Sequence, residues 1–105
     1  MNRLEHLLTI LGEECNEVAV RCSKAKRFGL LEVQPGQTLT NAQRIMAEVQ
    51  DVYAALEMLS QMGALDTMAD FPAIDQKIDK VEKFLLYSRE CGTLDQGPVG
   101  MGCEQ

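Results

Sequence analysis

Two short acidic stretches hold the residues best suited to chemistry: Glu13-Glu14-Cys15-Asn16-Glu17 and Glu48-Val49-Gln50-Asp51. Each contains an i,i+3 carboxylate pair, Glu14 with Glu17 and Glu48 with Asp51. On a helix that spacing places both members on neighbouring parts of one face. Four carboxylates gathered on one flank repel, a like pair 4 Å apart costing ~4 kcal/mol at an effective dielectric of 20. Neither stretch contains Lys or Arg, although Arg21 follows one turn beyond Glu17. The relief that fits an all-oxygen set is a hard divalent cation, Mg²⁺ first and Mn²⁺ second. The competing explanation is a Glu-rich solvated face, since Glu is a good helix former.

The elements that must position these residues are helices. Leu4, Leu7, Leu8, Leu11, Cys15, Val18, Cys22 and Ala25 recur at helical spacings and predict a first helix over residues 2–26. Gly12 falls inside it, as a kink or a point of close packing, and Phe28-Gly29 ends it. Pro35-Gly36 marks a turn in the connection 28–40. Thr40 or Asn41 caps a second helix to about residue 62, striped by Ile45, Val49, Val52, Leu56 and Leu59, with Gly63 as its stop. Asp70-Phe71-Pro72 opens a third helix to about residue 91, with Ile74, Ile78, Val81 and Leu85 on one side. No strand is expected, so the fold class is all-α: a bundle of three main helices over residues 1–91, followed by a mobile tail at 92–105. At about 100° per residue, Glu14 lies about 60°, Glu17 about 120° and Glu13 about 160° from the centre of the first stripe. Glu48 lies about 60° and Asp51 about 120° from the second. A hairpin of these two helices gathers Glu14, Glu17, Glu48 and Asp51 on one flank. Glu14 and Glu48 sit at the edge of their stripes, a poor place for a charge without a purpose.

Other chemistries lack their residues. A di-iron carboxylate bundle needs Glu-x-x-His twice, and the single histidine, His6, directly follows Glu5. His6 reads as an ordinary helix-surface or boundary residue. Phosphate-cradling GxxxxGK[ST] is absent, and Gly97, Gly100 and Gly102 precede no helix. Candidate phosphate-binding groups are Lys24 and Arg27 at the end of the first helix and Lys77, Lys80 and Tyr87 on one flank of the third. Their ordinary roles are dipole complementarity for the first set and surface ion pairing such as Asp79 with Lys83 for the second.

Composition narrows the class further. The 105 residues carry 16 Asp+Glu against 10 Lys+Arg, a formal charge of -6, which disfavours a nucleic-acid polymer or an anionic membrane as partner. Without the five acids of the two stretches, 11 acids face 10 bases, so five of the six excess negatives belong to the candidate site. Leu7-Leu8-Thr9-Ile10-Leu11 is too short for a signal core, and no apolar run spans a membrane. Cys15, Cys22, Cys91 and Cys103 have no CxxC spacing and are expected as buried, reduced thiols in a cytoplasmic protein.

The order Glu13-Glu14-x-x-Glu17 followed by Glu48-x-x-Asp51 on the next helix resembles the EExxE…ExxD pattern of MazG-like nucleotide pyrophosphohydrolases, of the all-α nucleoside triphosphate pyrophosphatase superfamily. The stretch LLTILGEECNEVAVRCSKAKRFG…LTNAQRIMAEVQDVYAALEML is similar to short MazG-like proteins of bacteriophages, so a host cytoplasm is implied if the chain is phage-encoded. Residues 4–62 carry the likeness well, 72–91 loosely, and the tail not at all. The resemblance implies Mg²⁺-dependent cleavage of (deoxy)nucleoside triphosphates between the α and β phosphates. By position, Glu14, Glu17, Glu48 and Asp51 match the metal-binding carboxylates, and Glu13 matches the first Glu, in an auxiliary catalytic role. The 30 residues between Glu17 and Glu48 are at or beyond the family's long end, which implies a specialised connection. Three striped helices make a thin monomer, so a homodimer or homotetramer is expected. The alternatives are a non-catalytic helical interaction protein with an acidic face, and an enzyme of this fold acting on another phosphoanhydride.

Overall fold

The computed structural model describes residues 1–95; Cys103, the glycines at 97, 100 and 102 and most of the expected tail lie outside the described residues. Three helices form, α1 (Arg3–Phe28), α2 (Asn41–Gln61) and α3 (Phe71–Glu90), with no strand among the described residues. The fold is all-α. No helix among these residues is long and apolar enough to cross a membrane. The chain divides into two compact units, Met1–Thr67 and Met68–Gln105, the first built on α1 and α2 and the second on α3.

Local chemistry sets the boundaries. Asn2 caps α1: its Oδ1 accepts from the Glu5 amide at 2.8 Å, and Glu5 Oε1 accepts from the Asn2 amide at 3.0 Å. At the other end Gly29, at φ 101°, donates its amide to the Ala25 carbonyl. The helix therefore runs two residues past the expected end at 26. Thr40 and Gln43 form the same reciprocal cap for α2, and Asp70 accepts from the Ala73 amide to start α3 with Pro72 in its first turn. The connection 29–40 is anchored to the start of α2. Buried Asn41 donates Nδ2 to the Gly29 carbonyl at 2.8 Å and to Glu32 Oε1 at 2.9 Å, while Arg44 Nη1 reaches Gln34 Oε1 at 2.7 Å. Pro35-Gly36 makes the expected turn, closed by the Gln37 amide on the Gln34 carbonyl, with Gly36 at φ 82°.

In the first unit α1 and α2 pack antiparallel along a narrow seam. On α1 the inward row is Leu7, Leu11, Glu14, Val18, Arg21 and Ala25; on α2 it is Asn41, Ile45, Glu48, Val52, Ala55 and Leu59. Both rows alternate steps of four and three, the pattern of two helices meeting along a coiled seam. Leu59 is fully buried, and Leu7 and Ala55 are nearly so. One partner helix covers only the seam, so the wider stripe read from α1 is not all covered. Leu4 and Leu8 remain exposed, and so do Cys15 and Cys22, which were expected inside. Cys91 is exposed too, and all three thiols are free. Gly12 marks no close packing: a Cβ there would meet nothing within 4 Å, and α1 continues through it. In the second unit α3 has no buried residue; Ile74, Ile78, Val81 and Leu85, expected as its core face, are exposed.

Candidate metal centre

The hairpin brings the two acidic stretches together midway along the seam. One carboxylate oxygen from each of Glu14, Glu48 and Asp51 lies within 4.8 Å of the others. Glu14 and Glu48 are half-buried because both occupy the inward rows, and Asp51 is exposed at the rim one turn from Glu48. Neighbouring ligands of an octahedral Mg²⁺ lie about 3 Å apart, for metal–oxygen bonds of about 2.1 Å. At separations of up to 4.8 Å the three oxygens stand wider than such a set and would have to draw together to share one ion. The donor set fits: oxygen alone, from three carboxylates on two rigid helices, with one side open to water and phosphate. Glu17, expected on the same flank, is exposed on α1 and lies outside the triad, as does Glu13, expected farther round the helix.

The electrostatics match this crowding. Burial pushes the Glu14 carboxyl above its ordinary pKa, and the charges of Asp51, Glu48, Glu17 and Glu13, in that order, push the same way. Arg21, which the acidic pattern alone did not include, gives partial relief. Its Nε lies 3.4 Å from Glu48 Oε2, with the two side chains only 19% and 17% exposed. That distance is long for a hydrogen bond and is better described as an ion pair. The signal was present in the sequence: Arg21 is seven residues after Glu14, hence on the same inward row.

A cleft of about 430 Å³ runs from the triad along the hairpin. Glu14 and Asp51 stand at one end, Arg3 and His6 at the other, with Leu7, Ile10, Ala54, Ala55 and Met58 between them. His6, expected as a helix-surface or boundary residue, is exposed on the rim of this cleft.

The candidate phosphate ligands are spread over both units. Lys24 is half-buried on α1, one turn beyond Arg21. Arg27 is exposed, with its guanidinium carbon 5.2 Å from the centroid of the Phe28 ring. Lys77, Lys80 and Tyr87 are exposed on α3 in the second unit, where Lys77 borders a hollow of about 190 Å³ with Ile78, Val81 and Leu85. Compared with protein-family models, with curated proteins and with solved structures, the chain finds no match in any of the three.

Proposed function

We propose that this chain is a MazG-like, Mg²⁺-dependent nucleotide pyrophosphohydrolase, cleaving (deoxy)nucleoside triphosphates between the α and β phosphates to a monophosphate and pyrophosphate. The observation that carries the proposal is the meeting of Glu14 with Glu48 and Asp51, two separate acidic stretches converging on one point. Glu14, Glu48 and Asp51 hold the cation, Mn²⁺ serving in place of Mg²⁺. Glu17, exposed one turn along α1, is proposed as a further ligand once the ion is bound, and Glu13 as auxiliary. When bound, the ion neutralises the phosphates, polarises the phosphoryl oxygens and lowers the pKa of an attacking water. Lys24 and Arg27, with Lys77, Lys80 and Tyr87, are the groups available for the outer phosphates. The protein acts as a homodimer or homotetramer in a cytoplasm, that of the host if the gene belongs to a phage.

The test is incubation with a panel of nucleotides and Mg²⁺, following monophosphate and pyrophosphate. Glu14→Gln and Glu48→Gln abolish turnover and leave the helical circular-dichroism signal unchanged; full activity in both variants contradicts the assignment. A second reading, a non-catalytic helical interaction protein, is favoured by the exposed apolar row of α3, Ile74, Ile78, Val81 and Leu85. It predicts no turnover with any nucleotide or other phosphoanhydride, and no change in melting temperature with Mg²⁺ or Mn²⁺.

A further inference from the structure

We propose that the cleft between α1 and α2 is a nucleoside subsite selective for bases with a carbonyl at the far edge, seated on its apolar floor and read by Arg3. The inference rests on the hydrolase proposed above, because Glu14 and Asp51 define the phosphate end.

The cleft has the dimensions and the polarity for this occupant. Its volume of about 430 Å³ falls in the range of small-molecule sites, ~300–1,000 Å³. Glu14 follows His6 by eight positions on α1, and at 1.5 Å per residue the run is about 12 Å. A nucleotide anchored by a phosphate at the triad extends its base along that run. The intervening surface is apolar and low: Ala54 and Ala55 leave a flat floor, and Leu7 and Met58 border it. Methyl groups and a thioether suit the face of an aromatic base.

Polar groups return only at the far end, with Arg3 and His6. Their backbone is fixed by the capping box of Asn2 and Glu5, whose carboxylate is occupied there. A guanidinium offers donors and no acceptor. The base edge it accepts carries a carbonyl oxygen, O4 of uracil or thymine or O6 of guanine. Cytosine and adenine present an amino group at the same place.

The chain has one histidine, so the imidazole C2–H of His6 gives a single proton resonance at the mouth of the cleft. The full chain in Mg²⁺ is titrated with deoxyuridine, deoxycytidine and inorganic pyrophosphate, following that line by NMR, with triphosphate hydrolysis assayed on the same sample. Deoxyuridine is expected to move the line saturably, and deoxycytidine to bind about tenfold more weakly, the discrimination of one charge-assisted hydrogen bond. Arg3→Met brings the two nucleosides to within about twofold. Ala54→Leu, at an exposed floor position, weakens both without changing the helical signal. A line that deoxyuridine leaves still, or that pyrophosphate alone moves, overturns the subsite. So does equal binding of the two nucleosides in the parent chain. Turnover with a silent His6 line leaves the hydrolase standing and removes the subsite. A saturable His6 shift without turnover does the reverse.

Discussion

Glu14 is the residue on which the charge balance turns. Its raised pKa means that the folded chain binds this proton more tightly than the unfolded chain does. The sign follows. Below about 4.5, the ordinary glutamate value, the carboxyl is protonated in both states and costs nothing. As pH rises past its folded value, the charge is forced into the cluster and stability is lost. In the cation-free protein Glu14→Gln is therefore expected to melt higher than the parent at pH 7, by a margin that disappears as pH falls through the carboxylate range. Thermal melts in EDTA across pH 3–8, a window bracketing ordinary carboxylate pKa values, check this. Saturating Mg²⁺ should reverse the order by stabilising the parent alone. Arg21 supplies the opposite case. Arg21→Met removes the cation paired with Glu48 and is expected to cost about 1 kcal/mol without metal, as for a partly screened ion pair. Urea denaturation with and without Mn²⁺ should show most of that loss regained on binding, because the ion then neutralises Glu48 in Arg21's place.

At the scale of the element, the hairpin turns two sequence stretches into one site. Gly12 lies inside α1 with open space where a Cβ would be. Gly12→Ala is thus expected to stabilise the protein by about 0.5–1 kcal/mol through helix propensity, read as a rise in urea midpoint. Asn41 ties the 29–40 connection to α2 through two side-chain hydrogen bonds. Asn41→Ala removes both hydrogen bonds of this buried side chain and is expected to cost about 1–3 kcal/mol. The helices, their caps at Thr40 and Asp70 and the turn at Pro35-Gly36 were legible in the sequence because each depends on neighbours a few residues apart. The meeting of Glu14 with Glu48 and Asp51 was legible for a similar reason: two azimuths and one antiparallel pairing define it. The rotational setting of α1 was not. Its apolar residues occupy more than a third of the circumference, and only the partner decides which of them are covered. The 4-3 row through Glu14 and Arg21 prevails over the alternative through Cys15 and Cys22, so two thiols face out and an arginine faces in. Glu17, one turn along and farther round the helix than Glu14, is exposed.

For the molecule as a whole, apolar surface remains exposed in both units: Leu4 and Leu8 on α1, and Ile74, Ile78, Val81 and Leu85 on α3. Surfaces of this kind on a small chain favour self-association, and a homodimer or homotetramer is the expected state. Sedimentation equilibrium over a hundredfold range of concentration checks it, and a strict monomer contradicts it. The acidity of the chain has a location as well. Five of the six excess negatives fall in the two stretches that form or flank the triad, so the rest of the protein is close to neutral. Under the proposed function, this concentration of charge holds a cation for phosphoanhydride hydrolysis. The most direct measurement is Mn²⁺ binding to the full chain by electron paramagnetic resonance, with nucleotide hydrolysis followed in the same sample. Saturable binding and turnover in the parent, both lost in Glu48→Gln with its helices intact, are the expected result. A parent chain that binds no Mn²⁺ and releases no pyrophosphate contradicts the account.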